Sequence, residues 1–340
     1  MEKNQIVRIK YCDYVDLCSE CVRFSVSGMK IISGTAHREL AERIAQSVGI
    51  QLTDVTVNTF PDGESFVKIN ENIRGKDVFL IQPTCPPTNH NIMELCVMVD
   101  AARRASAGRI TAVVPFFGYA RQDRKDQPRV PITAKLVANL ITRAGADRVL
   151  TMDLHASQIQ GFFDIPVDNL LGNPIFTQYF HQRYEGHEDE TIVVSPDVGS
   201  VARARAFAQK LGMGLAIVDK RRQKANSSEV MNIIGDVRDK KVILFDDMVD
   251  TAGSICGAAQ ALVELGGATE VIACASHGVL SGPAIERIEK SALKEMVFLD
   301  TVPARPEVKC DKIKYISVAH MFAEAIERIY EEVSVSKLFL

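Results

Sequence analysis

A repeated alternation of short apolar runs with helical segments is the feature that most limits what this chain can fold into. Strands that alternate with helices form parallel sheets covered on both faces. We therefore predict an α/β fold of mostly parallel sheets flanked by helices. The predicted strands are KIISG, VTVNTF, VFLIQPT, ITAVVPFF, RVLTMD, TIVVS, LAIVD, KVILF and EVIACAS, and the predicted helices are at 37–48, 91–105, 132–144, 201–211, 253–265 and from Pro283.

The chain length of 340 residues is sufficient for two domains of about 150 residues each. The second half repeats the strand and helix plan of the first half. We expect an N-terminal domain at 29–171 and a similar C-terminal domain at 172–329, and the tail at 330–340 is a candidate to return to the N-terminal domain. Residues 1–28 match no periodic pattern, so we expect a poorly ordered extension there.

The composition excludes several classes of function. No run of about 18 apolar residues occurs, which argues against a membrane-spanning helix. The formal charge of −3 provides no basic excess for a nucleic-acid backbone, and the local basic clusters at 121–129 and 220–224 favour a small anionic ligand instead. Eight cysteines, mostly within apolar patterns, indicate reduced thiols and a cytoplasmic protein.

The stretch KVILFDDMVDTAGS at 241–254 predicts a buried strand, an acidic loop and a helix that begins near Gly253. The amide groups at such a helix start lack intrahelical partners and can bind a phosphate group. Asp246 and Asp247 would repel a phosphate, but carboxylates suit sugar hydroxyls or the water shell of magnesium. The combination predicts a sugar-phosphate site. The alternative is an acidic turn that caps an ordinary helix.

Charged and polar residues also follow other predicted strands, where α/β sheets place their ligands. The basic segment GYARQDRKDQPRVPIT follows ITAVVPFF and could clamp phosphates through its arginines. Asp153 and His155 follow RVLTMD, and Asp197 follows TIVVS. Lys220 is the cation nearest the end of LAIVD, and Arg222 points the same way along the strand. The alternative for both basic segments is a solvated charged loop.

Six ordered motifs in the sequence indicate a known family. They are FPDGE at 60–64, RQDRK at 121–125, DLHASQIQGFFDIPVDNL at 153–170, SPDVGS at 195–200, KRRQKAN at 220–226 and DDMVDTAGS at 246–254. With these motifs, the sequence from Met29 to Leu340 resembles the class I ribose-phosphate diphosphokinases, the phosphoribosyl pyrophosphate synthetases, whose two domains are similar to type I phosphoribosyltransferases. The last motif alone also resembles phosphoribosyltransferases, whereas the ordered set of six is specific to the diphosphokinases.

The resemblance implies transfer of the β,γ-diphosphoryl group of MgATP to the 1-hydroxyl of ribose 5-phosphate. The products would be AMP and 5-phosphoribosyl 1-diphosphate, which is used for nucleotide, histidine, tryptophan and NAD biosynthesis. Lys220 and Arg222 are the candidates to stabilise the moving phosphoryl group, and the resemblance places Mg²⁺ on His155 and Asp197. It assigns ATP binding to Phe60, Asp62, Gly63, Glu64, Arg121 and Gln122, and ribose 5-phosphate binding to Arg222, Asp246, Asp247, Asp250, Thr251, Ala252, Gly253 and Ser254.

The resemblance further implies a homohexamer regulated by inorganic phosphate and ADP. The matching regulatory positions are Ser157, Gln160, Asp168, Asn169, Ser334, Val335 and Ser336. Two residues depart from the family pattern: Ser200 replaces a usual glycine, at a position that we expect to favour a positive φ, and Pro61 replaces a common serine. Two other hypotheses remain. A phosphoribosyltransferase has no reason to keep FPDGE, RQD or the KRRQK loop, and a catalytically silent regulatory relative should have lost Lys220, Arg222 or an aspartate of the last motif, none of which is lost.

Overall fold

The computed structural model describes residues 6–7, 28–221, 230–305 and 309–339. The strands in chain order are β1 Ile6–Val7, β2 Met29–Ser33, β3 Val55–Thr59, β4 Ser65–Ile69, β5 Asp77–Ile81, β6 Arg109–Val114, β7 Arg148–Met152, β8 Val167–Leu170, β9 Thr191–Ser195, β10 Gly214–Arg221, β11 Val230–Ile234, β12 Lys241–Val249, β13 Glu270–Gly278, β14 Glu295–Leu299 and β15 Ile313–Ile316.

Eight α-helices lie within those described ranges. In chain order they are α1 Arg38–Val48, α2 Thr88–Arg104, α3 Thr133–Ala144, α4 Asn173–Tyr184, α5 Val201–Leu211, α6 Gly253–Glu264, α7 Ala284–Lys290 and α8 Ala319–Tyr330. Short 3₁₀ helices lie at Ser157–Phe162, Glu188–Glu190 and Val335–Leu338.

The chain divides into two compact units, which we call the nucleotide unit and the sugar unit after the ligands that the sequence resemblance predicts for each. Of the described residues, the nucleotide unit contains 28–171, Thr301–Pro303 and 317–339. The sugar unit contains the described residues of 6–7, Gly172–Asp300 and Ala304–Ile316. The segment that returns to the nucleotide unit is therefore longer than the tail at 330–340 expected from the sequence, because it includes the whole of α8.

A parallel five-stranded sheet forms the centre of the nucleotide unit, with the strand order β2-β5-β6-β7-β8. The helix α1 packs against α8, and α2 packs against α3. The sheet residues are nearly all buried because helices cover them, and Leu80, Ala112 and Val149 are fully buried in one apolar cluster. The parallel sheet flanked by helices matches the predicted fold class.

The strands β3 and β4 form a separate antiparallel hairpin in the nucleotide unit. The sequence prediction placed 55–60 among the strands of a parallel arrangement and missed β4, and that placement is wrong. The hairpin packs on α2 through β4. Its alternating half-buried and exposed residues differ from the continuous apolar runs of the parallel strands, and alternation is typical of a sheet with one solvated face.

The sugar unit contains an eight-stranded sheet with the order β1-β15-β14-β13-β12-β9-β10-β11. All neighbouring strands are parallel except β10 and β11, which form an antiparallel pair. The helices α4 and α5 pack together, as do α6 and α7. At the sheet edge, β1 is the one described part of the 1–28 extension before Gly28, and the predicted poor order of that extension falls on residues outside the described ranges.

No helix within the described residues is both long and apolar enough to cross a lipid bilayer. The described cysteines are free thiols, in agreement with the reduced state predicted from their scatter through the sequence. They are Cys85, Cys96, Cys256, Cys274 and Cys310.

Candidate functional site

Three neighbouring parallel strands of the sugar unit end at the same edge of the sheet. The strand β9 lies between β10 and β12, and Val194 pairs with a residue of each neighbour. Asp197, Lys220 and Asp246 all come after those paired positions in the chain direction. The structure therefore brings these three predicted site residues to one carboxyl edge, where α/β sheets bind ligands.

The loop between β9 and α5 is fixed by hydrogen bonds around Asp197. Ser195 Oγ donates to the carbonyl oxygen of Asp197 at 2.7 Å, and the amide of Ser200 donates to Asp197 Oδ1 at 2.8 Å. Ser200 has a φ of −89°, so the expectation that this position favours a positive φ is wrong. Serine therefore fits here without backbone strain.

Asp246 and Asp247 lie inside β12, not in a loop after it as the sequence predicted. The apolar run ends at Phe245, but β12 continues to Val249 because it stays paired with β13, whose His277 and Gly278 face its last residues. Asp246 is half-buried and Asp247 is buried, and their carboxyl groups lie close enough to interact.

Asp247 is buried and forms an ion pair with a residue that the sequence analysis missed. Arg203, in the first turn of α5, places Nη2 at 3.2 Å from Asp247 Oδ1, and the Asp247 side chain is 4% exposed. A buried carboxylate is costly without such a partner. Arg203 therefore stabilises the acid pair from the neighbouring helix.

Asp246 is half-buried and has a strongly perturbed pKa. Burial is the main cause that raises the pKa of Asp246 to about 7, and the neighbouring charge of Asp247 adds to it. The charge of Asp197 acts in the same direction. Negative charge is therefore concentrated at this edge, and a bound cation would reduce the repulsion.

The turn at 250–254 leads into the start of α6, where the sequence predicts a phosphate site. Ala252 adopts a left-handed conformation with a φ of 58° and precedes α6, which begins at Gly253. Arg287 of α7 donates from Nη1 to the carbonyl oxygen of Thr251 at 2.9 Å, which orients the turn. The amides at the start of α6 lack intrahelical acceptors, and the helix dipole favours an anion there.

The cationic candidates lie on and beyond β10. Lys220 is a residue of β10 and pairs with Met231 of β11. The sequence placed Lys220 after the strand, whereas the strand continues to Arg221. Residues 222–226 of the KRRQKAN segment lie outside the described residues, as do the side chains of Lys220 and Arg221.

The candidate metal residues were tested against the chemistry of magnesium, which prefers oxygen ligands. The carboxylate of Asp197 fits that preference, and the concentrated charge near Asp246 favours a divalent cation. His155, of the nucleotide unit, follows β7 and is half-buried. Within the described ranges, no group of three or more His, Cys, Asp or Glu side chains forms a complete metal site.

The predicted nucleotide residues Arg121 and Gln122 lie in the loop after β6 of the nucleotide unit, and both are exposed. Gln122 is held by the start of α3, because its Oε1 accepts the hydroxyl of Thr133 at 2.6 Å. Its backbone oxygen also accepts the amide of Ala134 at 3.2 Å. With Oε1 engaged, the NH₂ group of Gln122 is the part of its side-chain amide that could donate to a ligand.

The FPDGE motif forms the tip of the β3–β4 hairpin. The amide of Phe60 donates to the carbonyl oxygen of Glu64 at 2.8 Å, and Gly63 has a φ of 94° that glycine adopts without strain. Pro61, the second departure from the family pattern, lies in this turn. The Phe60 side chain is 47% exposed although it is aromatic. The Phe60 ring contacts the Phe66 ring, with centroids 5.6 Å apart, and its exposed part could stack on a ligand.

The predicted regulatory residues lie in two segments of the nucleotide unit. Asp168 of β8 forms an ion pair with Arg148 of β7 at 2.5 Å, and Asn169 Oδ1 accepts the amide of Leu154 at 3.1 Å. Ser157 and Gln160 share the 3₁₀ helix that follows β7, whereas Ser334, Val335 and Ser336 lie at the start of the 3₁₀ helix after α8. The structure does not assign a ligand to either segment.

Two family models match the chain. The model described as the N-terminal domain of ribose phosphate pyrophosphokinase matches residues 29–145. The model described as the phosphoribosyl synthetase-associated domain matches residues 222–340. The two matches therefore cover parts of both compact units.

The chain is also similar to whole proteins. It is 60% identical over 313 residues to the ribose-phosphate pyrophosphokinase of Caldanaerobacter subterraneus, which covers 92% of this chain and 98% of that relative. It is 61% identical over 311 residues to the corresponding protein of Clostridium acetobutylicum, with 92% and 97% covered. Among solved structures, phosphoribosylpyrophosphate synthetase from Mycobacterium smegmatis matches with a TM-score of 0.84 and 40% identity, over 90% of this chain and 99% of that chain.

Proposed function

This chain belongs to the ribose-phosphate pyrophosphokinase family, and from that premise we propose how its residues serve the reaction. The protein is a ribose-phosphate diphosphokinase. The 1-hydroxyl of ribose 5-phosphate attacks the β-phosphorus of ATP, the bond to AMP breaks, and 5-phosphoribosyl 1-diphosphate forms. The convergence of Asp197, Lys220 and the acid pair on one sheet edge is the observation that supports the assignment of roles.

The start of α6 binds the 5-phosphate of the sugar. Thr251, Ala252, Gly253 and Ser254 supply amide and hydroxyl donors there, and the left-handed conformation of Ala252 supports the assignment. Asp246, Asp247 and Asp250 are hydrogen-bond acceptors for the sugar hydroxyls. The acids lie on the strand side of the turn, so phosphate and hydroxyls are recognised by separate groups.

Lys220 and Arg222 stabilise the negative charge on the moving diphosphoryl group, and Arg222 also contacts the sugar phosphate. A loose phosphoryl transition state needs positioning and positive charge more than covalent chemistry. Lys220 lies on β10, which pairs directly with β9, and this position supports the role. No described side chain at this edge is assigned as a general base.

Nucleotide binding belongs to residues of the nucleotide unit. Phe60 stacks on adenine, while Asp62 and Glu64 accept hydrogen bonds from its amino group, with Gly63 providing the turn. Arg121 and Gln122 contact the nucleotide. The exposed ring of Phe60 and the anchored amide of Gln122 support these roles.

Mg²⁺ is the proposed cofactor, with Asp197 and His155 as its ligands. When bound, the ion neutralises charge on the diphosphate of the nucleotide. The oxygen chemistry of Asp197 and the concentrated carboxylate charge near it support the assignment.

We also propose a cytoplasmic homohexamer that is regulated by inorganic phosphate and ADP. The regulatory positions are Ser157, Gln160, Asp168, Asn169 and Ser334 to Ser336. Sedimentation of the purified protein tests the assembly, and a fully active monomer would contradict it.

A direct assay tests the function. Purified protein is incubated with ribose 5-phosphate, MgATP and inorganic phosphate, and AMP is measured. We expect AMP from the wild type, and a decrease in turnover of about a hundredfold or more for Lys220→Ala because a charge that stabilises the transition state is lost.

The matched control is Lys210→Ala, which removes an exposed lysine from the last turn of α5. Its turnover should remain close to that of the wild type. The proposal is wrong if the wild type forms no AMP, or if Lys220→Ala and Lys210→Ala have the same turnover. Formation of a nucleotide from phosphoribosyl diphosphate and a free base would instead indicate a phosphoribosyltransferase.

A further inference from the structure

Ser200 joins two acids that come from neighbouring strands. Its amide donates to Asp197 Oδ1 at 2.8 Å, and its hydroxyl donates to Asp246 Oδ1 at 3.0 Å. The residue is 4% exposed, so water does not compete freely for either bond. Ser200 is thus a buried bridge between the end of β9 and the acid pair of β12.

The second donor to Asp246 is the backbone amide of the next residue. The amide of Asp247 donates to the same atom, Asp246 Oδ1, at 2.9 Å. A carboxylate oxygen has two lone-pair sites, so these two donors satisfy Oδ1. The carboxyl groups of Asp246 and Asp247 also hydrogen-bond to each other, and Oδ2, with two lone-pair sites, can still accept a ligand hydroxyl.

Two residues at the start of α5 contact the acid pair, Asp246 and Asp247. Arg203 forms the ion pair with Asp247, and Ser200, at the N-cap position of α5, donates to Asp246. The hydroxyl bond from Ser200 orients Asp246, the more exposed acid, from this turn. Glycine at position 200 would keep the backbone bond to Asp197 and lose the hydroxyl bond.

We propose that Ser200 is a positioning residue for sugar recognition, which orients Asp246 so that Oδ2 accepts a hydroxyl of ribose 5-phosphate. The inference rests on the proposed function, because it takes the sugar phosphate as the ligand of this edge. A sugar hydroxyl is bound in the ground state and in the transition state alike. Loss of the bond therefore raises the KM for the sugar more than it lowers kcat.

Steady-state kinetics of Ser200→Ala at pH 8 and saturating MgATP test the proposal. We expect the KM for ribose 5-phosphate to rise about three- to tenfold, the range for one net hydrogen bond, with kcat within about twofold of the wild type. The KM for ATP should not change. Ser200→Thr keeps the hydroxyl, so its KM for the sugar should be close to that of the wild type. A change of packing at position 200 would not predict this recovery.

Ser291→Ala is the matched control, because Ser291 Oγ also donates a hydrogen bond within the sugar unit, to Ile288 O at 2.7 Å, in the segment after α7. Its KM for ribose 5-phosphate should equal that of the wild type. The proposal is overturned if Ser200→Ala leaves this KM unchanged, if it lowers kcat alone, or if Ser200→Thr fails to restore it. AMP formation by the wild type in the same assay separates these results from a failure of the proposed function.

Discussion

The carboxylates of Asp197, Asp246 and Asp247 lie at one carboxyl edge of the sheet in the sugar unit. Their proximity affects the pKa of Asp246. The pKa of Asp246 is raised to about 7, first by burial and then by the charge of Asp247. The protonated form is favoured because the folded state removes water from the carboxyl group. Ser200 and Arg203 reduce the cost by donating to the pair.

The raised pKa predicts a pH-dependent cost to stability. Between the ordinary pKa of an aspartate and about 7, the folded state binds a proton at Asp246 that the unfolded state has lost. Stability therefore falls as the pH rises through this window, and the cost is complete above pH 7. Asp246→Asn removes the titrating group, so its Tm should increase relative to the wild type as the pH rises from 5 to 8.

Thermal unfolding of both proteins in EDTA, at several pH values, measures this difference. Asp236→Asn is the matched control, because Asp236 lies in the same unit and is exposed. A difference between Asp246→Asn and the wild type that is constant or shrinks toward pH 8 would show that the burial argument is wrong.

At the scale of elements, the helix α8 shows how a late segment of the chain stabilises the nucleotide unit. It packs against α1, and Phe322, Ile326 and Ile329 lie on its buried face. The expected return of 330–340 was too short because the sequence analysis did not recognise that these residues recur at helical spacing. The apolar face of α8 is the physical reason for the longer return.

Phe322→Ala should therefore destabilise the nucleotide unit. Phe322 is fully buried, and such a truncation costs about 3–5 kcal/mol through lost transfer free energy and the cavity that remains. The free energy of unfolding in urea is the measurement, with His320→Ala on the exposed face of α8 as the control. A change of less than about 0.5 kcal/mol, as for an ordinary surface substitution, would mean that α8 does not stabilise this unit.

The sequence predicted some elements better than others. The helices α3 and α5 begin and end within a residue of the prediction, because their apolar residues recur at regular spacing. The end of β12 could not be predicted, because pairing with β13 extends the strand through two acids. Arg203 was missed because its role depends on α5 lying beside β12, and local spacing contains no signal for that packing.

At the scale of the whole molecule, the residues assigned to ATP and to ribose 5-phosphate belong to different compact units. The nucleotide unit contains the FPDGE hairpin and the Arg121–Gln122 loop, whereas the sugar unit contains the acid pair and the turn at 250–254. The motifs fall in the two domains expected from the sequence, and the division of roles between them stays a prediction. The strand order that places β9 between β10 and β12 was not predictable from local patterns, because it is a property of the complete sheet.

The fate of the β-phosphorus of ATP tests the central claim most directly. ATP labelled at that atom is incubated with wild-type protein, magnesium and ribose 5-phosphate, and the products are separated. We predict that the label moves to the sugar product, with one labelled sugar for each AMP released and no label in AMP. Label recovered in ADP or inorganic phosphate, with an unlabelled sugar, would contradict the transfer of an intact diphosphoryl group.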